Sequence, residues 1–223
     1  LARPFLERGM RVFFNRPFAG SVRDAHAIVN LARRHGARIY SASALYHTRA
    51  GQKARETLDT IGPVHLFSVT GASDHLGFYL PHAIAAMVSV LGTGIKTVRA
   101  LSLKATPEDP QRAAAPVVVY VEYAPTASVG PVRGTVNMIG PAATWYGFTM
   151  CLFGARGEME PVQFEVTYEH LLDEMARFFR TGIEPIPTEV IIEKTAIFYA
   201  ALASARRNGA PADVHRMVRK PDR

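Results

Sequence analysis

Two kinds of sheet follow one another in this sequence: the tail end of a parallel α/β sheet, then an α+β domain with a large, mainly antiparallel sheet. Three observations predict this. Residues 11–43 run apolar strand, amphipathic helix and apolar strand with short links, the rhythm of a parallel sheet. From residue 95 onward, strand-like runs succeed one another without helices between them, the habit of antiparallel sheets. Two helices, Tyr168–Arg180 and Thr188–Arg207, then close the chain, divided by the proline-broken "TGIEPIP".

A chain of 223 residues that is 48% hydrophobic can bury a real core, as one large domain or two small ones. Its longest apolar stretch, Ala83–Leu91 with Ser89 inside it, has the length of a core helix and not of a membrane span. The single cysteine, Cys151, excludes an internal disulfide and a multi-cysteine zinc site. Between Met150 and Leu152 in a strand, it reads as a core thiol. The net charge of +7 is terminal: +6 over residues 1–38, +4 over 206–223 and −3 between. No basic stripe is interleaved with aromatics, so a solvated surface explains the charge and neither nucleic acid nor membrane is an expected partner. No secretory pattern opens the chain, so a cytoplasmic location is expected, although residue 1 is Leu and a longer N-terminus is open.

Element by element, Ala2–Arg8 is a short helical piece closed by Gly9. In "RVFFNRPFAG" (11–20), Val12, Phe13, Phe14 and Phe18 call for burial, while Arg16 does not tolerate it unpaired. Pro17 forbids continuation and restricts the residue before it, so the chain turns here. By itself, Arg16 is either a site residue at a strand mouth or a surface arginine beside a turn. Ser21 and Asp24 have the spacing of an N-cap, and Val22, Ala25, Ile28, Val29 and Ala32 form one helical face up to His35-Gly36. "ARIYSAS" (37–43) is the second strand.

After residue 44, "GQKARETLDTIG" reads as a polar helix and "PVHLFSVTGAS" as a strand. "YLPHAIAAMVSVLG" is an almost wholly apolar helix with Pro81 in its first turn, where proline is tolerated. Strands are expected at Ile95–Leu103, Val117–Tyr123, Arg133–Ile139, Trp145–Phe153 and, briefly, Gln163–Val166. "VVVYVEY" and "WYGFTMCLF" are apolar on both alternations, which predicts that both sheet faces are covered. The tail from Asn208 is expected to fray. No GxGxxG occurs, and Gly92-Thr93-Gly94 follows a helix, so it is a helix stop and not a phosphate loop. Glu122 reads as the exposed side of a strand, and Asp173 and Glu174 as a solvated helix face. His26 and His35 read as helix-surface residues without metal-site spacing, and no metal is expected.

Over residues 1 to about 214 the pattern resembles the Gfo/Idh/MocA oxidoreductases, the family of glucose-fructose oxidoreductase and inositol dehydrogenase. The segment "FLERGMRVFFNRPFAGSVRDAHAIVNLARRHGARIYSAS" is similar to its last Rossmann units, in which a strand ends in Glu-Lys-Pro. The segment "YEHLLDEMARFFRTGIEPIPTEVIIEKTAIFYAALASARRNGAPADV" is similar to its closing helices. The resemblance implies residues 1–44 as the C-terminal part of a Rossmann-like NAD(P)-binding domain, 45–207 as an α+β substrate and oligomerisation domain, and 208–223 as a tail. It also implies that about the first hundred residues of a usual member, with the glycine-rich turn, lie outside this chain.

What the resemblance implies for function is an NAD(P)-dependent dehydrogenase acting on a sugar or polyol-like hydroxyl, with NAD or NADP as cofactor and a homo-oligomer formed through the sheet. The family's Glu-Lys-Pro is Asn15-Arg16-Pro17 here, which assigns Asn15, Arg16 and Pro17 to the cofactor, and implies a cis Arg16–Pro17 bond. His82 matches the family's catalytic histidine, but Phe78 stands where the aspartate four residues earlier is usual. Arg16 and His82 are therefore the catalytic candidates, with Tyr46, His47, Phe78 and Tyr79 as substrate-binding candidates. Arg16 keeps the lysine's charge in a planar fork but cannot shuttle a proton near neutral pH. With lysine and aspartate replaced, a catalytically silent homologue that binds a ligand or partner is the alternative.

Overall fold

The computed structural model describes residues 1–71, 76–102, 105–106, 109–113, 116–140 and 147–219. Helix α1 (Arg3–Leu6) leads into β1 (Arg11–Phe14), α2 (Val22–Arg34) and β2 (Arg38–Ser41). β1 and β2 pair in parallel, Phe14 opposite Ser41, so both strands end side by side. Ser21 Oγ accepts from the Asp24 N–H at 3.0 Å and caps α2 as its spacing predicts. The Ile39 N–H, on β2, donates to the Glu184 carboxylate at 2.9 Å.

A 3-10 turn (Ala44–His47) then passes into α3 (Arg49–Glu56) and a second 3-10 turn, Leu58–Ile61. The polar helix expected over 51–62 thus starts two residues earlier, where the Thr48 hydroxyl caps Gly51, and breaks at Thr57. β3 (Val64–Gly71) precedes α4 (Leu76–Leu91). The apolar helix begins earlier than predicted, so Pro81 lies inside it and not in its first turn. There it supplies no N–H to the helical ladder.

Strands β4 (Ile95–Ser102), β5 (Ala105–Thr106), β6 (Asp109–Ala113), β7 (Val117–Tyr123), β8 (Arg133–Met138), β9 (Phe148–Gly154) and β10 (Gly157–Phe164) follow. Residue 103 of the expected Ile95–Leu103 strand and residues 145 and 146 of the expected Trp145–Phe153 strand lie outside the described residues. The short strand expected at 163–166 is the end of the longer β10, which stops at Phe164. After α5 (Glu169–Thr181) and α6 (Thr188–Arg206), the chain ends in β11 (Ala212–Asp213) and α7 (Val214–Arg219). The expected frayed tail is folded as far as Arg219, residues 220–223 lying outside the described residues: β11 pairs with β4, and Val214 is fully buried. Ala212 and Val214 are buried in the large core, and Met217 and Val218 pack against it.

The large sheet has the order β10-β9-β3-β8-β7-β4-β11, parallel only between β3 and β8. One face packs on α4 and α6: Val69, Val98, Val119, Val136 and Met150 meet Ile84, Met87, Val88 and Ile197 there. α4 is apolar all round because the 3-10 turn, α3 and α6 cover what the sheet does not. The other face is partly polar, Asn137 Nδ2 donating to Ser68 Oγ at 2.9 Å and Thr70 Oγ1 at 3.2 Å. Leu66 and Phe153 stand exposed on it, so coverage of both faces is not what the single chain provides. Cys151 shares this outer face and is half-buried, not a core thiol, because Met150 and Leu152 take the inward alternation.

A second, smaller core joins α2, β2, α5 and the start of α6 through Val29, Ile39, Tyr40, Phe178 and Ile191. α6 belongs to both cores, Ile191 and Ile192 to the small one and Ala196 to Ala201 to the large one. Glu193 fixes its position by accepting from the Gly94 and Ile95 N–H groups at 2.6 and 2.9 Å. The ends of β1 and β2 are thereby held against the flank of α4.

Candidate functional site

At that junction Arg16 and His82 meet. The Arg16–Pro17 bond is cis, and Arg16 leaves the line of β1 while Phe18 returns to the core, 8% exposed. The Arg16 Nε–H donates to His82 Nε2 at 2.6 Å, and Arg16 Nη1 to Asn15 Oδ1 at 2.7 Å. Because Nε2 accepts, the neutral imidazole carries its proton on Nδ1, which donates to Ser43 Oγ at 2.6 Å. Three elements therefore fix one ring: the end of β1, the turn after β2, and α4.

Burial first and the Arg16 charge second push the His82 pKa down to about 3. The Phe148 ring, 5.9 Å between centroids, covers another side of the imidazole. Gly71 makes room for it, since a Cβ there would lie 2.5 Å from Phe148 Cε1.

Beside the pair lies a cavity of about 50 Å³ between the ends of β1 and β2 and the facing flanks of α4 and α6. Its polar lining is Arg16, Ser41, Ser43, Lys194 and Thr195; Phe18, Ile84 and Phe198 are among its apolar walls. Lys194 is the site residue that sequence reasoning missed. One lysine in a long closing helix carries no signal until the fold turns that face toward β1.

The other candidates fall elsewhere. Of the candidates only Arg16 and Pro17 line this cavity; Asn15, Tyr46, His47, Phe78, Tyr79 and His82 do not, and His82 lines a separate cavity of about 20 Å³ with Phe148 and Tyr168. Tyr46 is half-buried with its ring 4.6 Å from Lys194 Nζ, and burial raises its phenol pKa. His47 does not rim the site. It is turned into the small core, where Nε2 shares a 2.7 Å hydrogen bond with the Tyr40 hydroxyl, and burial lowers its pKa to about 4. Phe78 is 59% exposed on α4, one turn before His82, and Tyr79 lies 6.1 Å from the His82 ring. Among the described residues no group of three or more His, Cys, Asp or Glu could hold a metal ion.

No family model and no curated protein matches the sequence. The three-dimensional structure does find matches. The crystal structure of GenD2 from gentamicin A biosynthesis, in complex with NAD, superposes with a TM-score of 0.79 at 15% identity, covering 95% of this chain and 74% of that one. A putative myo-inositol dehydrogenase from Sinorhizobium meliloti 1021 gives 0.76 at 13% identity, over 95% of this chain and 76% of that one. The chain has the Gfo/Idh/MocA dehydrogenase fold. The WlbA dehydrogenase from Bordetella pertussis, solved with NADH and UDP-GlcNAcA, gives 0.76 at 13% identity, over 95% of this chain and 74% of that one. At such identities the likeness is one of fold.

Within the Gfo/Idh/MocA fold the donor set fits one end of a nicotinamide dinucleotide. Asn15, Arg16 and the Ser41 and Ser43 hydroxyls sit together at the carboxyl ends of two parallel strands, where such sheets bind ligands. A pyrophosphate cradle is lacking among the described residues: Gly94 is packed against Ala127, 2.7 Å from where its Cβ would lie, and its N–H is taken by Glu193. No helix among the described residues is long and apolar enough to cross a membrane.

Proposed function

We propose that this chain carries the substrate side of an NAD(P)-dependent oxidoreductase acting on a hydroxyl of a small sugar- or polyol-like molecule. The observation that carries the reading is the 2.6 Å meeting of Arg16 and His82 from separate elements, with Arg16 also lining the cavity beside the strand ends. The neighbouring structures with NAD or NADH support the cofactor class. The nicotinamide, when bound, supplies the hydride acceptor. Asn15, Arg16 and Pro17 are the residues of this chain that would face it.

The substrate oxygen takes the place of His82 Nε2 on Arg16, whose guanidinium stabilises negative charge developing on that oxygen. His82 Nε2, released from Arg16, then accepts the hydroxyl proton while the hydride leaves the carbon. Tyr79 and Phe78, beside His82 on α4, would border the substrate. Protein with its dinucleotide-binding portion present, mixed with NAD+ or NADP+ and a polyol panel, should form reduced nicotinamide, and His82→Gln should abolish it.

A second reading is favoured by one specific fact: His82 is clamped on both ring nitrogens and its pKa is held at about 3. A ligand-binding protein without turnover would keep such a clamp. Ligand binding without nicotinamide reduction in the same panel selects this reading.

A further inference from the structure

Arg16 and Lys194 line one cavity with three hydroxyl side chains, and no carboxylate lines it. Lys194 is half-buried, on α6, and no ion pair or hydrogen bond reaches it from the described residues. Its Nζ lies over the Tyr46 ring, 4.6 Å from the centroid. Arg16 has no ion pair either, and its Nη2 carries no hydrogen bond to a described residue. Arg16 and, when protonated, Lys194 bring positive charge to one small cavity with no carboxylate beside it, which is costly unless an anion joins them. The cavity has room for a few waters or one carboxylate-sized group.

We propose that this cavity is an anion subsite that grips the carboxylate of an acidic, hydroxylated substrate between Arg16 and Lys194. Arg16 Nη2, which carries no hydrogen bond to a described residue, meets one carboxylate oxygen, and Lys194 offers a point charge from α6. The Ser43 hydroxyl, which accepts from His82 Nδ1 and the Leu45 N–H, keeps its own proton to complete the shell. The subsite deepens the oxidoreductase reading and rests on it only for what happens after binding.

A proton is linked to this binding. Burial lowers the Lys194 pKa to about 7. A bound carboxylate favours the charged amine and raises that value, so the acid binds the protonated form and affinity weakens as pH rises above about 7. The groups around Lys194 do not compete over this range. Tyr46 stays neutral, His47 and His82 are held neutral, with pKa values of about 4 and 3, and Arg16 stays charged. On α6 itself Glu193 binds Gly94 and Ile95, and Glu189 binds Arg33. On α4 the facing residues are Pro81, Ile84 and Ala85, which do not titrate.

Calorimetric titration of the full chain with glucuronate against glucose, and glycerate against glycerol, tests the subsite. At pH 6.5 at least one acid should bind roughly tenfold or more tightly than its neutral counterpart, as a charge-assisted contact would give. Its affinity should fall by up to about tenfold per pH unit between pH 7 and 9. Lys194→Met should lose about tenfold in affinity together with the pH dependence, whereas Lys194→Arg should keep affinity and lose only the pH dependence, because arginine does not titrate. Retained melting temperatures distinguish this from misfolding. Equal binding of acids and neutral counterparts, or a wild-type affinity flat from pH 6.5 to 9, overturns the subsite. Reduction of NAD(P)+ by neutral polyols with no preference for acids overturns the subsite alone. Acid binding with this pH profile but no nicotinamide reduction by protein with its dinucleotide-binding portion present overturns the oxidoreductase reading alone.

Discussion

The Arg16 Nε–H points at His82 Nε2 from 2.6 Å, so the lone pair that a general base would use is occupied by a guanidinium. The pair is an electrostatic lock that a substrate oxygen has to open. Arg16→Met removes the donor and the charge but leaves the ring buried. The His82 pKa should then rise from about 3 toward, yet stay below, its ordinary value of about 6.5, because burial is the larger cause of its depression. An NMR titration of the His82 ring reads this directly. An unmoved pKa would show that Arg16 does not act on the imidazole.

Two buried histidines make the fold acid-labile. His82 and His47 are 6% and 7% exposed, with folded-state pKa values of about 3 and 4. In the unfolded chain both titrate near 6.5. Above that pH both states leave them neutral and there is no penalty. As pH falls from about 6.5 to 4, the unfolded chain gains protons that the native state refuses, so stability is lost, on the order of a few kcal/mol. Urea midpoints measured from pH 7 to 4 should fall. His47→Gln should flatten part of the slope.

How much of this was legible in the residues differs by element. The parallel start, the large sheet and the closing helices could be read because each repeats a period, 3.6 or 2, that burial imposes. Arg16 and His82 were found through the resemblance to the Gfo/Idh/MocA oxidoreductases, whose Glu-Lys-Pro and catalytic histidine they match; the residues alone favoured a surface arginine and a satisfied core histidine. Lys194 was hidden because its role depends on which face of α6 meets β1, a tertiary fact. The misreading of Cys151 has the same source: in "FTMCLF" both alternations are apolar, and only the packing of Met150 and Leu152 chooses the inner one. The folded tail was missed because Ala212 and Val214 are too few to show a period.

Gly71 is a packing requirement beside the site. A Cβ there would lie 2.5 and 2.7 Å from two atoms of the Phe148 ring, closer than a side chain tolerates. Gly71→Ala should therefore push Phe148 off His82 and cost about 1–3 kcal/mol. A fall in melting temperature of about 2–4 °C per kcal/mol is expected for a chain of this size. The His82 pKa should rise as its cover opens, which NMR would report. A variant as stable as wild type with an unchanged His82 signal would show the ring has slack.

Ser204 ties the last segment to the sheet through one hydroxyl. It is fully buried, its Oγ accepts from the Ala100 N–H at 2.9 Å and donates to the Ala210 carbonyl at 2.6 Å. The first bond reaches β4 and the second pins the turn that brings Ala212 onto the same strand. Ser204→Ala removes both and strands a buried N–H and a carbonyl, at about 1–3 kcal/mol for a group left unsatisfied. Cysteine at this position, larger and a weak hydrogen-bonding group, should not restore it. The loss should be local before it is global. Hydrogen exchange should speed up at Ala212, Asp213 and the Val214–Arg219 helix while β7 and β8 keep their protection. Uniform loss of protection across the whole sheet would instead mean that the serine holds the large core and not the tail.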